Sequence, residues 1–384
     1  MAGLGPAIHA FFAGPSQVVD ARDKPGHDDL WKYLGFPPDT ARLWPYRRPR
    51  LITPRNDPPR NAGKDGPLNV LFVTSTRIGD AVLSTGLLDH VIRARPGARV
   101  TVACGPAAAG LFAGVPGLVR VIAMPKRRYG MHWFDLWRQV APTPWSLVVD
   151  LRGSALGWAL LARERRVYRT PDALVHRVRQ LSALFALLEP AAPRLWTLPA
   201  HEDAAAKLIP PGGPVLAVGP TANWIGKQWP AERFVALMER LTGPTGILPG
   251  ARVALFGGPG ERAAAQPVLD AIPAARRIDL VGTVDLLTAY ACLKRAALYV
   301  GNDSGLMHMA AAAGVPTLGL FGPSRDEHYA PWGPRGAVAR AVPYDKIFPA
   351  DYDWRNTGTL MGGLSVESAV AAAEELWRRC GEMP

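Results

Sequence analysis

From Asn69 onward, short runs of consecutive apolar residues alternate with longer stretches of helical spacing. Runs that lack a polar alternation predict strands buried on both faces. In the first part of the chain these are Asn69–Thr74, Arg99–Ala103, Leu118–Ala123 and Ser146–Asp150. A helical pattern over Asp80–Arg95 stops at Pro96-Gly97, and another over Leu174–Leu188 ends at Glu189-Pro190. Pro and Gly punctuate both ends as helix stops. Pro190–Pro199 reads as a linker, after which the alternation restarts. Strands are predicted at Val215–Val218, Arg252–Phe256, Arg277–Val281, Ala297–Gly301 and Thr317–Phe321. Helices are predicted at Ala231–Leu241, Ala263–Ala271, Leu286–Arg295, Ser304–Ala313 and Ser365–Arg379.

Strand–helix alternation of this kind implies parallel strands with crossover helices. Two successive units predict an α/β fold of two Rossmann-like, doubly wound domains facing a cleft. The first spans residues 67–190 and the second 191–350; residues 351–384 form a tail and a helix expected to pack back on the first domain. Residues 1–66 lack apolar periodicity and are rich in Pro, Gly, Asp and Arg, so they are expected to be a disordered or misassigned extension. The phrase Asp20–Asp29 resembles translated repeat-element sequence.

Composition narrows the class. The chain has 384 residues and a formal charge of +12. No apolar run approaches the roughly 18 residues of a membrane span. Three scattered cysteines, Cys104, Cys292 and Cys380, give neither a metal spacing nor a disulfide framework, so a cytoplasmic setting is expected. The charge excess is concentrated between Arg120 and Arg179, with 12 basic residues against 4 acidic. That patch suits an anionic partner or an anionic membrane face. No nucleic-acid motif accompanies it, and no nucleic-acid partner is expected.

In doubly wound sheets, ligands meet the loops at the strands' carboxyl ends. Four such loops carry chemistry. Gly301-Asn302-Asp303-Ser304-Gly305-Leu306-Met307-His308 joins a strand to an Ala-rich helix. Asp303 or Ser304 can cap that helix, its free N–H groups suit a diphosphate, and Gly305 permits close approach. His308 lies one turn on, over Ser304. Capping and core packing alone would explain the same residues. Ser75-Thr76-Arg77-Ile78-Gly79-Asp80 puts a carboxylate at a strand-to-helix turn, either as a helix-start charge or as a base facing the cleft. The turn lacks G-x-G-x-x-G, which disfavours a nicotinamide dehydrogenase. The loop Gly219–Pro230 carries Thr221 and Lys227, the latter placed to meet phosphate charge. Phe256-Gly257-Gly258-Pro259-Gly260-Glu261 ends in a carboxylate that can accept from ribose hydroxyls or start a helix. Asp351-Tyr352-Asp353 has D-x-D spacing, but no metal role is assigned to it. Trp133, Trp137 and Trp145 are expected to pack rather than stack on sugar.

Together these segments resemble the ADP-heptose:lipopolysaccharide heptosyltransferase family, glycosyltransferase family nine. The resemblance covers about residues 68–380 and rests on Ser75–Asp80, on Lys227-Gln228-Trp229-Pro230, on Gly301–His308 followed by Ala310–Pro316, and on Phe321-Gly322-Pro323. It implies a GT-B fold and an inverting, metal-independent transferase that uses no cofactor beyond its donor substrate, an ADP-sugar. By position it implies Asp80 as catalytic base. Lys227, Thr221, Glu261, Asp303, Ser304, Gly305 and His308 are implied as the donor site. Arg77 and Arg152 are acceptor-side candidates, Arg152 filling the variable place of the Asp150-Leu151-Arg152-Gly153 turn. The acceptor so implied is a lipopolysaccharide-core or related anionic, lipid-linked saccharide, met at the cytosolic face of the inner membrane. Another nucleotide sugar, an epimerase and a non-catalytic nucleotide- or glycan-binding module are the competing expectations.

Overall fold

The computed structural model describes residues 68–169, 174–348 and 358–383. The expectations for residues 1–66 and for Asp351-Tyr352-Asp353 lie outside the described residues. All that is described belongs to one compact unit, residues 63–384.

The first sheet contains β1 (Asn69–Val73), β2 (Arg99–Cys104), β3 (Leu118–Ala123), β4 (Trp145–Asp150) and β5 (Ala162–Val167). Its order is β3-β2-β1-β4-β5, all parallel. β1 is central, and Val70 to Val73 are fully buried, as a strand covered on both faces requires. The helices are α1 (Ile78–Ala94), α2 (Met131–Val140) and α3 (Arg177–Ala183). The second sheet contains β6 (Val215–Gly219), β7 (Arg252–Gly257), β8 (Arg277–Val281), β9 (Leu298–Asn302), β10 (Thr317–Phe321) and β11 (Gly336–Arg340). Its order is β11-β10-β9-β6-β7-β8, again parallel. Its helices are α4 (Pro199–Leu208), α5 (Ala231–Thr242), α6 (Arg262–Ala271), α7 (Leu286–Leu293), α8 (Gly305–Ala312), α9 (Asp326–Tyr329) and α10 (Val366–Gly381). In each sheet the order reverses beside the first strand, β1 or β6, and ligand crevices form at such switch points. Each half is thus Rossmann-like, and the molecule is a GT-B type α/β protein.

Several elements depart from the sequence reading. β5 has the sequence ARERRV and β11 GAVAR. Each lies at a sheet edge, where one side is unpaired and no long apolar run is needed. The helix expected over Leu174–Leu188 is confined to Arg177–Ala183; Ala186 turns to positive φ and Leu188 is exposed. The chain after the linker enters helix α4, which packs on α7. The final helix does not return to the first sheet. It packs on α5, β10 and β11, because its buried stripe of Ala369, Val370, Ala373 and Leu376 joins the apolar cluster of the second half. Trp229 Nε1 donates to Leu364 O at 2.9 Å and Arg379 donates to Gly336 O at 2.8 Å, which fixes both ends.

Candidate functional site

The two sheets meet where α1 and α8 begin. A Cβ on Gly305 would lie 2.6 Å from Ile78 Cγ2, and one on Gly79 would lie 2.9 Å from His308 Cδ2. Glycine is therefore required at both helix starts for steric reasons. The bare face of Gly305 is turned to Ile78, so the close approach it permits is of one half to the other. Asp80, in the first turn of α1, is part-buried, and the Ser75 hydroxyl reaches its carboxylate at 3.5 Å.

Lys227 ends a short turn after β6 and extends to Asp303, the residue between β9 and the cap of α8. The Nζ–Oδ2 distance is 2.6 Å. The Lys227 side chain is 23% exposed and that of Asp303 6%. The other Asp303 oxygen lies 3.9 Å from His308 Nε2. Burial works to raise the Asp303 carboxyl, but the charge of Lys227 and its hydrogen bond outweigh it and hold the group below the usual carboxylate range. Burial pushes the His308 imidazole down, against the pull of Asp303 and Asp80, so it favours the neutral ring. Ser304 occupies the N-cap of α8, yet its side chain makes no capping bond, and Asp303 is engaged by Lys227. Capping by either residue is thus not what the structure shows. The first-turn N–H groups of α8 remain available to an anion.

The loops after β6 and β7 also converge. Thr221 Oγ1 donates to Glu261 Oε2 at 2.8 Å, and the same oxygen accepts from Gly258 N at 2.6 Å. Glu261 therefore holds two loops together beside Lys227's turn. On the first sheet, Asp150 is fully buried and accepts from Arg152 N and Ser154 N, both at 2.9 Å, and from Ser154 Oγ at 2.6 Å. Burial raises its carboxyl despite these bonds. Asp150 is the builder of the turn, and the turn presents Arg152, whose guanidinium stands 5.7 Å from the centre of the Trp133 ring. Arg152 is close enough for the charge of Asp80 to act on it. Arg77 is exposed at the N-cap of α1, its N–H donating to Ser75 Oγ at 3.2 Å. Of the three tryptophans, Trp145 is buried, Trp133 is half-buried, and Trp137 is partly exposed.

A further group of residues at this junction has no motif to announce it. His176, at the N-cap of α3, accepts from Val178 N through Nδ1 at 3.2 Å. Its Nε2 meets Ala330 O at 3.0 Å, and its ring lies 4.7 Å from that of Trp332. His328 Nδ1 meets Val175 O at 2.9 Å. These contacts tie the start of α3 to α9 and the residues after it. Arg177 lies 4.2 Å over the Tyr168 ring, and the Tyr168 hydroxyl bonds Gln180. Tyr329 has its hydroxyl pKa raised, first by burial and then by the charge of Asp80. The one sequence signal was position: His328-Tyr329 follows the Phe321-Gly322-Pro323 turn at a strand's carboxyl end. Among the described residues, no cluster of three or more His, Cys, Asp or Glu could hold a metal, and no helix is long and apolar enough to cross a membrane.

The family model of glycosyltransferase family 9 (heptosyltransferase) matches residues 145–347, more than half of the chain. The chain belongs to that family. Within it, lipopolysaccharide heptosyltransferase 1 of Pseudomonas aeruginosa is 29% identical over 294 residues, 67% of this chain and 79% of the relative. Lipooligosaccharide heptosyltransferase 2 of Haemophilus influenzae is 30% identical over 133 residues, 34% of this chain and 37% of the relative; little more than a third of its length is thus matched. Among solved structures, E. coli ADP-heptose LPS heptosyltransferase II superposes with a TM-score of 0.64 at 19% identity, over 82% of this chain and 99% of that one. E. coli heptosyltransferase WaaC with ADP gives 0.61 at 19%, over 80% and 99%. The two likenesses establish the family's fold in this chain.

Proposed function

We propose that the protein transfers a sugar, heptose from ADP-heptose, to a lipopolysaccharide-core or related lipid-linked saccharide, with inversion at the anomeric carbon. The single observation that carries this reading is the apposition of two helix starts. Asp80 stands on one and the Lys227–Asp303 pair beside the other, with Gly79 and Gly305 at the contact. The named family members support the donor and acceptor: one is an ADP-heptose LPS heptosyltransferase and another was solved with ADP.

In this mechanism the acceptor hydroxyl attacks the anomeric carbon and Asp80 takes its proton. The glycosidic bond to the diphosphate breaks as the new one forms, so a single displacement inverts the centre. Negative charge grows on the departing diphosphate. Lys227 and the first N–H groups of α8 stabilise it. Asp303 acts through Lys227: held as a carboxylate, it fixes the ammonium where the diphosphate arrives. Thr221 and Glu261 support the nucleoside end of the donor site, and Arg77 and Arg152 face the acceptor. The chemistry asks for no resident cofactor. A lipid-linked acceptor puts the transfer at a membrane surface, which this reading takes to be the cytosolic face of the inner membrane.

Incubating the protein with ADP-heptose and a deacylated core acceptor, and following ADP release and the anomeric configuration of the product by NMR, tests the proposal. The expected product has the configuration opposite to the donor. Retention of configuration contradicts a single displacement. Turnover of UDP- or GDP-sugars in preference keeps the transferase and removes heptose.

A further inference from the structure

One face of the first half is apolar, aromatic and basic at once, and the mechanism above does not use it. Along α2, Phe134 and Trp137 stack with ring centres 5.9 Å apart, and they are 49% and 38% exposed. Trp137 Nε1 donates to Ala159 O at 3.1 Å, which joins α2 to the loop between β4 and β5. That loop turns Leu156 and Leu160 inward and leaves Trp158 64% and Leu161 74% exposed. It is held firmly. Arg165 donates to Leu160 O, Gly157 O and Ala162 O at 2.6, 2.8 and 2.9 Å. Exposed tryptophans on a fixed scaffold differ from side chains on a fluctuating loop: the fold keeps this apolar surface in water.

The rim is basic. Lys126, Arg127 and Arg128 are exposed just before α2, and Arg138 shares a surface hollow with Arg127 and Gln139. The acidic group in that hollow, Asp135, is ion-paired to Arg127. Tryptophan and phenylalanine beside lysine and arginine match the two layers of an anionic bilayer surface. The rings suit the headgroup boundary and the cations suit the phosphates. The face also adjoins the cleft, since Trp133 of the same helix lies under Arg152, within reach of the charge of Asp80.

We infer that Phe134, Trp137, Trp158 and Leu161, with the Lys126–Arg128 run, form a docking surface for an anionic phospholipid bilayer. It deepens the proposed function, on which it rests only for its purpose: a surface beside Arg152 brings the base within reach of a saccharide still attached to its lipid. Seating the four apolar side chains in the headgroup region supplies the affinity, and the basic run selects membranes of negative charge.

Sedimentation of the full chain with phosphatidylglycerol–phosphatidylethanolamine vesicles, compared with phosphatidylcholine vesicles, tests it. Binding to the anionic vesicles alone is expected. Trp158→Ser combined with Leu161→Ser, both at exposed positions, is expected to weaken it at least about tenfold. Lys126→Glu with Arg128→Glu is expected to abolish the preference for negative charge. ADP binding, measured on the same variants, stays at the wild-type level and confirms that they are folded. Equal binding to both vesicles, or anionic binding unchanged in the double serine variant, overturns the inference. So does a wild-type dimer that the serine variant converts to monomer, which assigns the face to a second copy of the chain. Loss of sugar transfer with vesicle binding intact counts against the proposed function and leaves the docking surface standing.

Discussion

Lys227 Nζ and Asp303 Oδ2 lie 2.6 Å apart, and the pair joins a loop after β6 to the turn before α8. Removing one member of a buried pair strands the other charge at a cost of about 3–5 kcal/mol. Lys227 is partly open to solvent, so Asp303→Asn is expected to destabilise by about 2–3 kcal/mol. It should also raise the KM for the donor more than it lowers kcat, since the ammonium loses its tether. Urea unfolding and donor kinetics on the variant check both; an unchanged KM would show that Asp303 does not position Lys227.

The same pair sets an acid limit. The Asp303 carboxyl is held below its ordinary value in the folded state, so its contribution is complete above the unfolded pKa of about 3.9. It is lost as pH falls through the lower, folded value. Wild type should therefore lose stability steeply below about pH 4, and Asp303→Asn should have a shallower acid limb. Parallel acid limbs for the two proteins would count against the assignment.

His176 gives a second, separate pH dependence. Burial lowers its imidazole pKa to about 4 from the ordinary 6.5. The neutral ring accepts from Val178 N and donates to Ala330 O, and a proton on Nδ1 would break the first bond. The unfolded chain takes up that proton between pH 6.5 and 4, so stability falls as pH falls across this window, by up to roughly 3 kcal/mol. His176→Gln should flatten the dependence there. Chemical denaturation at pH 7 and pH 5 compares the two, and an equal loss in the variant would place the proton elsewhere.

Gly305→Ala tests the closeness of the two halves. The added methyl meets Ile78 Cγ2 at 2.6 Å and Ile78 Cβ at 2.9 Å. Sugar transfer should fall about tenfold or more, because small displacements of reacting groups are costly. Ile78→Gly in the same chain removes both atoms and should restore part of the activity. No recovery in the double variant would mean that Gly305 is needed for the donor rather than for the contact with Ile78.

How much of this could be read from the chain itself differs between elements. The central strands were legible because burial on both faces writes an uninterrupted apolar run, as at Val70–Val73. The edge strands β5 and β11 were not, since an edge tolerates Arg and Gly. The final helix shows an apolar stripe, but a stripe does not name its partner; Leu376 and Ala373 pack in the second half. Spacing singled out Asp80, Lys227, Glu261 and Asp303 one by one. That Lys227 pairs with Asp303 and Thr221 with Glu261 depends on loops 76 and 40 residues apart, which no local pattern encodes. His176 and Tyr329 went unread for the same reason: the contact between the halves is what brings His176 against Ala330 and Tyr329 within reach of the Asp80 charge.

The most direct test of the whole account is ADP binding by calorimetry to wild type, Lys227→Ala and Asp80→Asn. The account predicts that ADP binds wild type, that Lys227→Ala weakens binding at least about tenfold through loss of a charged contact to the diphosphate, and that Asp80→Asn binds as wild type does while losing sugar transfer. Absence of ADP binding, or equal weakening by both substitutions, would contradict the division of base and donor between the two halves.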